Sequence, residues 1–413
     1  MEPDKKDQYL AVNIFGISAV EVLWGIGLPV LVESTFLQLF LKSLGASNQI
    51  IGLIPGIMGA GIAVFALMSA YLTAHLVHKR RAVIWSHISV SIPIFIFGVV
   101  LFFMGKTPYT VTVFLIFYVI SSLALGLTIP IWQNFLVKIF SEDRTIPAIS
   151  IMLISQTTAK LVGGLVIVKF VERFSFSTQS ASIIFIMLGF LFFAGAFFFL
   201  FVREIQSGKE INAHNFNTLA RAVIGTIQNK NFILYLMGMT EAYTCITIIS
   251  FYANYAVEYH SVPQPIAAGM FVAWIYMSGI VINILFGWFN LFSLKNKLIV
   301  SRIFALGAVA CLLAADSTTW FLITSLFLGC SRAVSNLCFS PAVKRLSGMH
   351  DATDYFAVSQ MLLLPLSFGI PYMSGLFLDA FADMGVTSFK ILFGICGILI
   401  FISLACVARI DFD

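Results

Sequence analysis

The chain has 413 residues, of which 60% are hydrophobic and only 10% charged, with 24 basic against 19 acidic side chains. A water-soluble domain carries about 25% charged residues, so this composition excludes a soluble enzyme, a nucleic-acid binder and a disordered scaffold. The net charge of +5 is small; where the charges sit matters more than their sum.

A membrane-crossing helix needs about 20 apolar residues, because about 30 Å of hydrocarbon is crossed at 1.5 Å per residue. Twelve such stretches follow one another at 11–40, 48–73, 82–104, 109–138, 147–170, 178–202, 231–257, 265–291, 298–315, 319–343, 354–380 and 386–408. About 34 residues per helix and connection leave no room for an extramembrane catalytic domain. The polar opening Met1 to Gln8 leads into an apolar stretch far longer than the core of a signal peptide, so the first helix is expected to be retained.

The longest polar interval, from Arg203 to Asn231, separates the sixth stretch from the seventh. It divides the chain into an N-terminal bundle of six helices at 1–203, a cytoplasmic linker at 204–230 and a C-terminal bundle at 231–413. Segment Val137-Lys138-Ile139-Phe140-Ser141 ends the fourth stretch and Val343-Lys344-Arg345-Leu346-Ser347 ends the tenth, 206 residues later. Half the chain length is 206.5, so the two bundles read as repeats related by an axis along the membrane normal. With the N-terminus inside, 17 basic residues fall on the cytoplasmic side and five outside, which places both termini in the cytoplasm. The expected location is the plasma (inner) membrane.

Leu44-Gly45-Ala46-Ser47 followed by Ile51-Gly52-Leu53 is similar to the junction between the first two helices of the major facilitator superfamily. With the twelve spans, the polar centre and the cytoplasmic termini, the whole chain resembles that family. The family signature between its second and third helices carries two glycines and an aspartate. Here Ala70, Val77 and Ala74 stand in their places, whereas Leu72 and the basic end Lys79-Arg80 match. On helix five only Gly163-Gly164 matches the end of the antiporter signature. The resemblance implies an all-α integral membrane fold of twelve helices in two pseudo-symmetric six-helix bundles, with a cavity built from helices 1, 2, 4, 5, 7, 8, 10 and 11.

An ionisable side chain near the bilayer centre costs at least about 2.5 kcal/mol, so it faces a cavity or a partner. Glu21, Lys160, Glu241 and Arg332 lie deep in helices 1, 5, 7 and 10. They are the candidate substrate-binding or ion-coupling residues, and the resemblance implies that they line the cavity. Glu21 with Lys160 and Glu241 with Arg332 are the preferred pairs, since each keeps to one half. Trp24, Asn134, Gln156, Tyr243, Tyr276, Asn336 and Gln360 are further cavity candidates. Gln156 shares a face with Lys160, as Asn336 does with Arg332, four residues apart in each case. Glu33, nearer the outer end of the first helix, reads as structural.

The six cysteines, scattered and without metal-ligand spacing, read as small core residues. No cofactor, metal or nucleotide-binding loop is indicated. The function expected is secondary active transport of a small polar or charged organic solute by alternating access, with protons as a candidate coupling ion, in a monomer whose solvent is the lipid bilayer. A drug or metabolite exporter is the alternative within that class, and a polytopic membrane enzyme or transceptor the alternative outside it.

Overall fold

The computed structural model describes residues 7–31, 35–73, 79–140, 142–174, 177–204, 216–348 and 353–412. The helices run α1 (Leu10–Leu31), α2 (Thr35–Ser43), α3 (Asn48–Thr73), α4 (Lys79–Met104), α5 (Thr110–Ile139), α6 (Glu142–Phe174) and α7 (Thr178–Phe197). They continue with α8 (Phe216–Gln228), α9 (Lys230–Gly238), α10 (Thr240–His260), α11 (Phe271–Ile282), α12 (Leu294–Leu313), α13 (Thr318–Ser347), α14 (Thr353–Ala380) and α15 (Val386–Ala408). Among the described residues, twelve helical spans are long and apolar enough to cross a membrane, with α9 and α10 together forming the seventh and short π-helical turns flanking α11 in the eighth. This is the all-helical, twelve-span membrane architecture that the hydropathy demands. Part of the segment expected as a linker is helical, since it contains α8.

Local chemistry sets several helix ends. Ser177, Asn229 and Ser293 accept hydrogen bonds from backbone N–H groups in the first turns of α7, α9 and α12, which would otherwise stay unpaired. Gly45, at φ +89°, takes the left-handed conformation that the tight turn between α2 and α3 requires.

Contacts divide the chain into two compact units. The first comprises Met1–Pro29, Gly61–Gly163 and Arg173–His214; the second comprises Val30–Ala60, Gly164–Glu172 and Asn215–Asp413. The boundaries cut through α1, α3 and α6, so the far ends of these helices pack with elements from the second half of the sequence.

Within the first unit, α4 and α7 approach at glycines. A Cβ added at Gly98 would stand 2.6 Å from the Ile186 nitrogen, and one at Gly189 would stand 2.6 Å from Phe95 Cα. Asn13 fastens α1 by donating to the carbonyls of Ile139 and Arg203 and accepting from the Arg203 N–H. The Glu204 carboxylate accepts from the Lys79 and Arg80 N–H groups at the start of α4, each at 3.0 Å.

The second unit holds a continuous apolar core that includes Phe232, Leu236, Leu298, Val334, Val343 and Val407, drawn from α9, α12, α13 and α15. Gly329 of α13 lies against Ile275 and Ser278 of α11 with no space for a side chain. Such small-residue contacts are how helices associate where lipid removes the hydrophobic drive between them.

Candidate functional site

In the first unit, Glu21 projects from α1 toward α6, and the Gln156 amide donates to its carboxylate. Lys160, one turn further along α6, acts electrostatically on the same carboxylate. Two glycines create this closeness. A Cβ at Gly25 would lie 2.7 Å from the Gln156 carbonyl oxygen and 2.8 Å from Ala159 Cβ, and a Cβ at Gly163 would collide with the Ile26 carbonyl. Backbone therefore meets backbone just beyond the polar residues, and Glu21 has no choice but to face Gln156. Glu21 is only 6% exposed, while Gln156 and Lys160 are half-buried. The cluster thus joins one buried acid to two half-buried polar groups. The expected association of Glu21 with Lys160 is present as an electrostatic contact, with Gln156 supplying the hydrogen bond.

Trp24 does not join this cluster. Its indole stacks on Phe192 at 4.4 Å, lies edge-on to His87 at 4.8 Å and donates to the Phe192 carbonyl. Lying three residues from Glu21, it is turned far enough around α1 to enter the core between α4 and α7.

In the second unit Glu241 has a different partner from the one expected. It is fully buried, and Arg302, equally buried, places Nη1 3.7 Å from its carboxylate. Ser301, Ser331 and Ser335 all donate hydroxyls to the same carboxylate, with Ser301 at 3.0 Å and Ser335 at 2.8 Å. Arg302 spends its other donors on the Gly238 carbonyl at 2.7 Å, the Leu298 carbonyl at 3.1 Å and Ser403 Oγ at 3.3 Å. Glu241 is therefore paired with Arg302 and not with Arg332.

Helical geometry explains the exchange. Ser331 and Ser335, four residues apart on α13, share the face turned to Glu241. Arg332 is one residue on, about 100° around the helix, where it shares a face with Asn336. That face is open: Arg332 is half-buried and Asn336 exposed.

Arg302 also has a backbone role. The seventh span breaks between Gly238 and Thr240, freeing the last carbonyls of α9. The guanidinium meets the negative end of α9 at Gly238, and Glu241 lies in the first turn of α10, next to that helix's positive end. Ser403 Oγ donates to the same Gly238 carbonyl. Charge and dipole agree at every contact, which is how two buried ions are tolerated.

Tyr276 is buried on α11, and Tyr243 and Gln360 are half-buried on α10 and α14. The side chain of Asn134, and Glu33 altogether, lie outside the described residues. Sequence reading missed Ser301, Arg302, Ser331, Ser335 and Ser403. The available signal is Arg302 itself, four residues inside the apolar run that begins at 298, and the four-residue spacing of Ser331 and Ser335.

Comparison with known proteins follows this geometry. A match to the Major Facilitator Superfamily spans residues 22–370. Among solved structures, a variant of the nucleoside transporter NupG aligns at a TM-score of 0.75 with 15% identity, over 97% of this chain and 100% of that one. A bacterial homolog of the human lysosomal transporter Spinster, inward-facing and unoccupied, aligns at 0.69 with 14% identity, over 98% and 96%. A variant of the peptide transporter POT aligns at 0.70 with 14% identity, over 99% of each chain. Comparison with curated proteins gives no match. All three carry the description of a transporter or a transporter homolog, and at these identities the likeness is one of fold. The family match covers most of the length, and the twelve-span helical fold agrees with it: this chain belongs to the Major Facilitator Superfamily, and is an integral membrane protein of a transporter family.

Proposed function

We propose that the protein is a secondary active transporter of a small polar or charged organic solute, working by alternating access between two six-helix halves at 1–203 and 231–413. The observation that carries this reading is the Glu21, Gln156 and Lys160 cluster, in which a buried carboxylate is hydrogen-bonded by one accessible side chain and faced by an accessible cation. Groups of this kind are costly inside a bilayer and mark solute or ion pathways. A solute carboxylate or phosphate competes with Glu21 for Lys160, and a solute amide competes for Gln156. Either exchange releases the acid from its partners and couples its protonation to binding. Arg332, on the open polar face of α13, is the corresponding contact in the second half.

Glu241 is read differently. Its carboxylate is enclosed by three serines and Arg302, with no accessible surface, so it holds the second unit together and is closed to solute. Proton coupling is assigned to Glu21 alone.

The test begins with a thermal-shift screen of metabolites against the purified protein, followed by uptake of the hits into proteoliposomes. Lys160→Ala is expected to abolish uptake with the folded protein retained, and Glu241→Gln to leave its pH dependence unchanged. Wild-type uptake by Lys160→Ala would falsify the site assignment.

A further inference from the structure

The first N–H groups of α3 have an unusual arrangement. Ser47 Oγ, the local cap, accepts from Ile50 at 3.3 Å, but Asn48 and Gln49 donate to the two oxygens of Asp379, at 2.9 and 2.7 Å. Asp379 comes from the last turn of α14, more than 300 residues away. The two helices also touch along their lengths. Gln49 Nε2 donates to the Tyr372 hydroxyl at 2.8 Å, and Gly375 packs on Asn48 so closely that a Cβ there would lie 2.8 Å from Gln49 Cα. Next to this zipper, α2 donates the Thr35 hydroxyl to the Ala268 carbonyl at 3.0 Å, and Lys42 of α2 lies 3.8 Å from Glu258 of α10. All of these residues belong to the second compact unit.

Among the described residues, Glu204 does the same job. Glu204 caps the start of α4, taking the N–H groups of Lys79 and Arg80. Glu204 and α4 both come from the first half of the sequence, whereas α3 comes from the first half and Asp379 from the second. If the halves part on one face of the membrane at a time, the Glu204 cap persists throughout the cycle and the Asp379 cap must break. The carboxylate is half-buried at a helix end, so water can take over its bonds when it leaves. Bonds of this kind are strong when made and recoverable when broken, as a reversible closure needs.

We propose that Asp379, by capping α3 across the two halves, is a latch that holds shut the face of the transporter carrying the α2–α3 turn. The proposal rests on alternating access but needs no knowledge of the solute.

The test places a reporter, Gln38→Cys, on α2, where Gln38 is 5% exposed. Its reaction with a hydrophilic maleimide is timed in purified protein in nanodiscs, with the rate of the protein retaining Gln38 subtracted. Asp379→Ala is expected to speed labelling roughly 2- to 30-fold, the range for loss of a helix cap, and Asp379→Asn, which keeps one of the two acceptor oxygens, by a smaller factor. Asp379→Glu should restore slow labelling. Glu204→Gln also weakens a cap, but within one half, and should leave the labelling rate unchanged while lowering the melting temperature. Labelling at the reference rate in both Asp379 neutral variants overturns the latch, as does equal acceleration by Glu204→Gln. Unchanged labelling with intact uptake rejects the latch alone; absent uptake by the wild type rejects the transport reading and leaves the labelling result standing.

Discussion

Replacing Arg302 by methionine roughly keeps the volume of the side chain and removes its charge, leaving the fully buried Glu241 carboxyl group without the guanidinium 3.7 Å away. Ser301, Ser331 and Ser335 still donate to the carboxylate, and Ser403 still serves the Gly238 carbonyl. What is lost is the countercharge, and stranding one buried ion of a pair costs about 3–5 kcal/mol. At about 2–4 °C per kcal/mol for a body of this size, the melting temperature should fall by about 6–20 °C. The protein reports its own unfolding, because five of its six cysteines are buried and a fluorogenic thiol dye reads their exposure on heating. Adding Glu241→Gln removes the stranded charge and retains acceptors for the serines, so the double variant should regain most of the lost stability. The signature is a large favourable coupling in the double-mutant cycle. A fall of under 2 °C for Arg302→Met, or a double variant as unstable as the sum of the singles, refutes the buried-pair reasoning.

Other outcomes follow from the first unit and from α13. Gly163→Val should push α6 off the Ile26 carbonyl, destabilise the protein by about 1–3 kcal/mol and abolish uptake; wild-type uptake would show that the α1–α6 spacing is irrelevant. Arg332→Ala should lose uptake while melting within a few degrees of wild type, in contrast to Arg302→Met, because Arg332 stands outside the Glu241 cage. Glu204→Gln should destabilise the protein by up to about 2 kcal/mol, the upper end for loss of a helix cap, and lower its melting temperature with uptake intact, and an unchanged melting curve would remove its capping role.

The number of spans was legible in the sequence because hydropathy is a one-dimensional property: a helix that crosses lipid must be apolar along its own length, whatever its neighbours. The buried charges were legible for a similar reason, since each is anomalous in its own segment. Their partners were not, because pairing depends on helix rotation. Glu241 was assigned to Arg332 by half of the chain, but Ser331 and Ser335 take the face toward Glu241 and turn Arg332 away. Arg302 is hard to recognise from sequence as a buried cation because its apolar run begins only four residues earlier, at Leu298. The Asp379 cap was invisible because nothing near residue 379 in sequence reveals the N–H groups of Asn48 and Gln49. The break in the seventh span, which gives Arg302 its carbonyl partner, carries no proline to announce it.

The most direct test compares two kinds of flux in proteoliposomes containing Glu21→Gln. Accumulation driven by a pH gradient requires a group that gains and loses a proton, whereas exchange of labelled for unlabelled solute requires only binding and the motion of the halves. With Glu21 as the coupling acid, the variant should lose gradient-driven accumulation and keep exchange. Accumulation at the wild-type level in Glu21→Gln contradicts the account.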